Sequence, residues 1–303
     1  MKQNFINIDS ISDVNAIFNA ESPDHPLVSV IRINNPNIRK KFDNEHFIIN
    51  LYSIAIKDIS IKDLSYGRNK FDFQSGTMMF IKPGQVISPG DEEKGVDDDG
   101  WMLFFHPDLI RQSQLSSKIN SYDFFSYDLH EALHLSNKER NELKILVDKI
   151  ETEYSQNIDR HSQTVIVSTI ELILNYATRY YDRQFFTRSV FNKDKVSEFE
   201  ELLAAYCDSD QLQEKGIPSV QYLAEALHMS PKYLTEMLKK EAGRSAQDHI
   251  HQVLISKAKT ILLSSDKSVS EIAFELGFEY PQYFSTLFKK KTQFKPSEYR
   301  SLN

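Results

Sequence analysis

One unit is written twice near the C-terminus, and this repeat restricts the fold more than any other feature of the chain. Ser268-Val269-Ser270-Glu271-Ile272-Ala273-Phe274-Glu275-Leu276-Gly277-Phe278 lies over Ser219-Val220-Gln221-Tyr222-Leu223-Ala224-Glu225-Ala226-Leu227-His228-Met229. After a slip of one residue, Pro281-Gln282-Tyr283-Phe284 falls on Pro231-Lys232-Tyr233-Leu234, and Phe288-Lys289-Lys290 on Leu238-Lys239-Lys240. The copies are 49 to 50 residues apart. Two copies are too few for a solenoid. They suit two equivalent contacts with a periodic partner.

Each copy reads as two helices with a tight turn between them. In the second, Ser268 is an N-cap and Glu271, three residues on, completes a capping box. Ile272, Ala273 and Leu276 form one apolar stripe at helical spacing. Gly277 follows the last periodic residue, where the chain needs a left-handed backbone, and Phe278 plugs the corner. Pro281 supplies the preset φ of a first helical position. Tyr283, Phe284, Leu287 and Phe288 should face the first helix, leaving Gln282, Ser285, Thr286 and Lys289 outside. In the first copy Ser230 caps, Pro231 starts the second helix, and the outer face carries Lys232, Thr235, Glu236, Lys239 and Lys240. Its turn has His228-Met229 in place of Gly277-Phe278. Single helix pairs are common in ordinary bundles. The duplication, the two proline starts and the two Lys-Lys exits together favour a paired helix-turn-helix.

Ser-Val-Ser-Glu-Ile-Ala-Phe-Glu-Leu-Gly-Phe, Tyr-Phe-Ser-x-x-Phe-Lys-Lys and Lys-Pro-Ser-Glu-Tyr-Arg resemble the C-terminal signature of the AraC/XylS transcription regulators, over about Lys195 to Asn303. The chain departs from that signature at Gln293, usually Gly, at Glu236, usually basic or polar, and at Leu254, often Arg. The resemblance implies that Lys232, Thr235 and Glu236 of one helix, and Gln282, Ser285 and Thr286 of the other, face base edges in successive major grooves. Gln suits adenine, Lys suits guanine acceptors and Glu suits cytosine. Lys239, Lys240, Lys289 and Lys290 fit phosphates, which orient without specifying. The resemblance also implies a cupin-like, effector-holding barrel in the N-terminal half and a homodimer formed through the helices after it.

A length of 303 residues suggests two domains. The net charge of −7 argues against nucleic acid, but it is unevenly spread. From Ile217 to Asn303 the balance is +3, and the remainder carries −10. That split restores a polyanionic partner for the C-terminal part. The N-terminus lacks a signal-peptide core, and the longest apolar run, Leu202 to Cys207, is far below the ~20 residues of a membrane helix. Cys207 is the sole cysteine, so no internal disulfide forms and a cytoplasmic, non-membrane protein is expected.

Residues 1 to about 130 read as β-rich, with candidate strands at Leu27–Ile33, Phe47–Ile56, Phe71–Phe73, Thr77–Ile81 and Trp101–His106. Short strands at this spacing suggest a small barrel or sandwich. Gly76 with Pro83-Gly84 looks like one cupin turn. No His-x-His pair accompanies it, so neither metal nor cofactor is expected. The acidic run Asp91–Asp99 does not fit a calcium loop and reads as a solvated hairpin tip. His130-Glu131-Ala132-Leu133-His134 matches His-Glu-x-x-His, which binds zinc when helical. Ser136-Asn137-Lys138-Glu139 is a capping box that starts the next helix at about Asn137, after both histidines.

Leu143, Leu146, Val147, Ile150 and Tyr154 stripe that helix, and Ile166, Ile170, Ile173, Ala177 and Tyr180 stripe another. Val165, Leu172 and Tyr176 give the second an additional apolar side, which favours a dimer contact. Asp182–Asp194 has little apolar periodicity and reads as a linker. Val196, Phe199, Leu202, Leu203 and Tyr206 then open the C-terminal domain. Ser245 and Asp248 cap a helix of about 18 residues, some ~27 Å long, which holds the repeated units apart by a length of the order of the ~34 Å between major grooves.

The expected fold is α+β: a cupin-like β-barrel with trailing helices, then an all-α domain of two helix-turn-helix motifs joined by a long helix. The expected domains are a sensing domain at 1–135, a helical dimerisation segment at 136–182, a linker at 183–194 and a DNA-binding domain at 195–303, with motifs near 219–240 and 268–291. The expected partners are double-stranded DNA, a second copy of the chain, a small-molecule effector and, for an activator, RNA polymerase. Arg32, Lys57 and Lys82 could meet an anionic effector, although scattered strand charges usually face water. A non-catalytic protein is expected. The alternative is a helical protein-interaction module without DNA contact. An enzyme reading lacks a metal constellation, a phosphate loop or a nucleophile elbow.

Overall fold

The computed structural model describes residues 4–35, 37, 45–57, 76–87, 100–128, 131–156 and 158–301. They form two compact units, 1–187 and 188–303.

In the first unit the order is β1 (Asn4–Ile8), α1 (Ile11–Phe18), β2 (Val28–Arg32), β3 (Glu45–Ile49), β4 (Tyr52–Lys57), β5 (Thr77–Ile81), β6 (Gln85–Ile87) and β7 (Trp101–Phe105). Short helices α2 (Pro107–Ile110) and α3 (Leu115–Lys118) follow, then β8 (Leu133–His134), α4 (Asn137–Ser155) and α5 (Ser162–Thr187). The strands make two sheets, β1-β3-β6 and β2-β7-β4-β5-β8. The larger is antiparallel throughout, and β1 runs parallel to β3. Among the described residues the strands do not close into one ring. The α+β class and the sheet-rich N-terminal half match the sequence expectation.

Strand alternation assigns the two faces of the larger sheet. Phe104 and Ile31 join Ile8, Ile11, Val14, Phe47, Ile49 and Leu51 in a core shared with the smaller sheet and α1. On the opposite face lie Trp101, Leu103 and Phe105, with cross-strand partners Ile54 and Ile56. There Phe80 packs on Phe124 at a ring distance of 4.3 Å, and Phe124 stacks on Tyr181 of α5. The sheet is thus covered on both sides, by strands and α1 on one and by aromatic residues and helices on the other.

Helix α4 begins where the sequence predicts. Ser136 accepts from the Glu139 amide while the Glu139 carboxylate accepts from the Ser136 amide. The helix then closes an open sheet edge. In edge strand β2 the Val30 amide donates to the Tyr154 hydroxyl at 3.1 Å. Arg32 of the same strand bonds Glu151 and Asp148. Arg32 is therefore committed to α4, and Lys82 donates to Ser126 at 3.0 Å. Neither stands as a loose strand charge, and the Lys57 side chain lies outside the described residues.

Several sequence expectations change. Phe47–Ile56 is two strands, because the chain breaks at Asn50-Leu51 and Leu51 turns into the core. Phe71–Phe73, Asp91–Asp99 and His130 lie outside the described residues. Strand β1 and helix α1 were not foreseen, although Ser10 and Asp13 form a capping box that announces α1. The segment read as a linker is helical: α5 continues to Thr187 and α6 begins at Ser189. Gln184 and Phe185 are buried there, and Gln184 accepts from the His134 amide and donates to the Ala132 carbonyl. Those partners lie some 50 residues away, so a local stripe could not reveal them.

The second unit comprises α6 (Ser189–Asp208), α7 (Gln211–Lys215), α8 (Val220–Ala226), α9 (Pro231–Ala242), α10 (Ala246–Ser264), α11 (Val269–Glu275), α12 (Pro281–Thr292) and α13 (Pro296–Arg300). Phe199 and Leu203 of α6 and Leu254, Ala258 and Leu262 of α10 are buried. Lys257 of α10 donates to the Cys207 carbonyl at 2.8 Å and pairs with Asp208. No described helix is long and apolar enough to cross a membrane.

Replacing Tyr154 with Phe should leave the buried Val30 amide without its partner and cost ~1–2 kcal/mol in urea unfolding. Burial pushes the Tyr154 hydroxyl from 10.0 up to about 12. The folded state therefore favours the neutral phenol. Its contribution is complete below pH 10 and is lost as the pH rises toward 12. Tyr154→Phe should remove that component of alkaline destabilisation, read as the difference between the two proteins' unfolding free energies across that range.

Candidate nucleic-acid interface

The repeat produces two helix pairs with matching caps. Ser219 accepts from the Tyr222 amide at the start of α8, and Ser268 forms a full capping box with Glu271 at the start of α11. The Ser268 amide and hydroxyl hold the Glu271 carboxyl below its usual range. Both turns close identically. The Met229 amide donates to Ala224 O and the Phe278 amide to Ala273 O, each at 2.9 Å. Both corners need a left-handed residue, His228 at φ 56° in one and Gly277 at φ 76° in the other. The side chains that follow, Met229 and Phe278, are buried as corner plugs. Histidine tolerates this region better than most residues with a Cβ, so the first corner keeps its geometry without glycine.

The second helices start and stop alike. Pro231 and Pro281 occupy first-turn positions, and Ser230 caps α9 through the Tyr233 amide. Tyr280 precedes α12 without a side-chain cap. The Gly243 amide donates to Lys239 O and the Gln293 amide to Lys289 O, with both residues left-handed. Gln293 thus takes a glycine-type conformation with a side chain attached.

On α9, Lys232 is exposed and Thr235 and Glu236 are partly exposed, on the side opposite the buried Leu234, Met237 and Leu238. On α12, Gln282 and Thr286 are exposed and Ser285 is partly so, opposite Phe284, Leu287 and Phe288. Lys239, Lys240, Lys289 and Lys290 are exposed in the last turns. Each set of three candidates for base contact, with its lysine pair, therefore shares one helix face. Two details go beyond the sequence. Glu236 pairs with Lys239 at 2.8 Å, and the Thr286 hydroxyl donates to the Gln282 carbonyl at 2.9 Å.

One pair of equivalent residues differs. Tyr283 reads as facing the first helix and aligns with Tyr233, yet Tyr233 is 4% exposed and Tyr283 52%. Helix α9 packs against both α6 and the long α10, whereas α12 packs against α10 and the five-residue α13. The repeat hides this inequality of cover. Exposed Tyr280 and Phe274 share the thinly covered second motif.

The described part of the His-Glu-x-x-His match, residues 131–134, is not an α-helix. His134 lies in β8, and α4 begins only at Asn137. Glu131 is buried and accepts from the Asp128 amide. Among the described residues no group of three or more His, Cys, Asp or Glu side chains is placed to hold a metal ion.

Two capped helix pairs on one scaffold define a double helix-turn-helix domain. Residues 223–301 match the family profile described as a helix-turn-helix domain. Over 107 residues, 35% of this chain, the sequence is 33% identical to the bifunctional transcriptional activator/DNA repair enzyme AdaA of Bacillus subtilis, covering 49% of it. Over 78 residues, 26% of this chain, it is 35% identical to the HTH-type transcriptional activator RhaS of Klebsiella pneumoniae, covering 28% of it. The solved C-terminal domain of the response regulator yesN from Fusobacterium nucleatum is 33% identical, with a TM-score of 0.32, over 35% of this chain and 98% of that one. The chain spans about half the length or less of these curated relatives. Its C-terminal domain is of the AraC type, like those of the AraC/XylS regulators it matches.

The two odd corner residues can be tested directly. Gln293→Gly should relieve the left-handed penalty and, after the entropic cost of glycine, stabilise by ~0.5–1 kcal/mol. Gly277→Ala should destabilise by more than ~2 kcal/mol, because a Cβ there would lie 2.6 Å from Leu212 O in addition to the left-handed penalty. Guanidinium unfolding of the two variants against the parent reads both signs.

Proposed function

We propose that this chain is a sequence-specific DNA-binding transcription regulator. The observation that carries the reading is the matched pair α9 and α12, each with polar outer residues along one face and a lysine pair at its exit. The 19-residue helix α10 between the motifs is ~28 Å long, of the order of the ~34 Å between successive major grooves on one side of B-DNA. Modest bending of the duplex makes up the remainder.

In this reading Lys232, Thr235 and Glu236 meet base edges in one groove, and Gln282, Ser285 and Thr286 in the next. Lys239, Lys240, Lys289 and Lys290 meet phosphates. The domain limits are those expected from the sequence, with 183–194 joining the helical segment to the DNA-binding domain. The sheet-rich domain receives a small-molecule effector and biases the competence of the DNA-binding domain. The chain acts as a homodimer through α4 and α5, a reading supported by exposed Ile145 and Leu172 on those helices. It works in the cytoplasm, without a cofactor or catalytic step, and contacts RNA polymerase if it activates.

The test is fluorescence anisotropy of the full chain on duplex from its own upstream region and on a shuffled duplex, at two salt concentrations. Preference for the native duplex, weakened by salt, is expected. Lys232→Ala combined with Gln282→Ala should remove ~1–3 kcal/mol of that preference per lost base contact. Absence of binding to any duplex at low salt would overturn the reading.

A further inference from the structure

Helix α10 carries two neighbouring histidines, and they face different helices. His249 is buried against α6, edge-on to Phe199 at a ring distance of 5.6 Å. His251 is partly buried on the side turned to the exit of α12. An ion pair fixes that juxtaposition: Lys291 of α12 reaches Asp248, one turn before His251, at 3.0 Å. Asp248 also accepts from the Ser245 hydroxyl at 2.8 Å. Lys291, and Ser245 with it, hold the Asp248 carboxyl below the usual carboxylate range. Lys290, next along α12, is exposed and pairs with no acid among the described residues. The cleft between α10 and α12 therefore has one acid already engaged, one open lysine and one imidazole. Gln247 Nε2 lies 2.8 Å from His251 Nε2. With the ring neutral, the amide nitrogen donates to it. With the ring charged, the amide turns end for end and its oxygen accepts. Protonation of His251 thus loses no hydrogen bond. Burial opposes it most, then the charge of Lys291; Asp248 favours it and Lys290 opposes it. The balance lowers the imidazole below its ordinary 6.5, so the ring is neutral at neutral pH.

We infer that His251 and Lys290 form one phosphate subsite, and that the domain takes up a proton at His251 as it closes on a duplex. The inference rests on the DNA-binding reading, in which Lys290 meets a phosphate, and extends that contact onto α10. A phosphate at Lys290 places negative charge beside the imidazole. It offsets the lysine charges that keep the ring neutral, and it offers a charged acceptor to Nδ1–H while Gln247 holds Nε2. Both effects favour the imidazolium in the complex. The complex then binds more protons than the free chain. Affinity rises as the pH falls through the imidazole's value in the complex, and levels off below its lower value in the free chain. Above the value in the complex, affinity does not respond to His251. Phosphates are alike in every duplex, so the response is independent of base sequence. His249 has no such part, since it is buried and faces α6.

The test is fluorescence anisotropy of the full chain on a shuffled duplex and on duplex from its own upstream region, at one low salt concentration and at about pH 6 and about pH 8. Between the higher and the lower pH the parent should gain about 3- to 10-fold more affinity than His251→Gln, on both duplexes, as a shift of up to about one pKa unit requires. His251→Gln keeps a hydrogen-bonding partner for Gln247 and cannot titrate, so it should match the parent at the higher pH. His251→Arg, charged throughout, should bind at the higher pH as the parent does at the lower. Titration calorimetry in two buffers of different ionisation enthalpy should show proton uptake on binding for the parent and less for both variants. Thermal melts at both pH values establish that the chains compared are folded. A pH dependence equal in the parent and His251→Gln, or a loss in His251→Gln that is the same at both pH values, overturns the proton-coupled contact. Absence of binding by the parent to either duplex overturns the DNA reading beneath it.

Discussion

Gly277 is where the C-terminal domain has least room to vary. A Cβ on it would lie 2.6 Å from Leu212 O and 3.0 Å from both Gly216 C and Ile217 N. These are backbone atoms, so no side chain can rotate aside. The turn of the second motif is therefore seated directly on the chain that leads into the first, two residues before the cap Ser219. With α10 as the covalent spacer, this contact gives the two motifs a second tie. The C-terminal end of α10 is fastened too: Arg300 donates to Leu262 O at 3.2 Å and to Lys267 O, next to the cap of α11. Any partner that reads α9 and α12 together depends on this separation being rigid.

Rigidity of spacing leaves the helices free to differ in what they present. The repeated elements are those that set backbone geometry: serine caps, proline starts, left-handed exits and buried corner plugs. The residue types that differ lie on the outer faces, namely Glu236 against Thr286 and Lys232 against Gln282. Duplicated scaffold with divergent surface suits a partner that is periodic in shape and aperiodic in chemistry.

The charge distribution agrees with this division. The chain carries −7 in all, yet Ile217–Asn303 carries +3. An acidic first part limits non-specific collapse onto polyanions, and the lysines at the two helix exits concentrate what attraction there is. They also lie at helix C-termini, where a cation is favoured by the helix dipole even without a ligand, so those positions are consistent with folding and with binding at once.

What could be read without coordinates depended on the range of the interactions. Caps, proline starts and glycine exits are decided within four residues, and the sequence names both motifs through them. The stripes of α4 and α5 were legible because their periodicity is internal. Arg32 was not, because its acids lie 116 and 119 residues further on. Nor were the buried end of α5, whose Gln184 is held by the β8 strand, and β1, which pairs in parallel with β3, 41 residues further on. Tyr283 was misread for a related reason. A repeat transmits its own pattern faithfully but says nothing of its neighbours, and the neighbours of α9 and α12 are unequal. Differences between the two copies therefore have two sources, one visible in the alignment of the copies and one visible only in what packs around them. The Glu236–Lys239 pair belongs to the first source in identity and to the second in geometry. Residue types at positions three apart suggest an ion pair, but the side chains must turn toward each other on an outer face, and the packing of Leu234, Met237 and Leu238 inward sets that face.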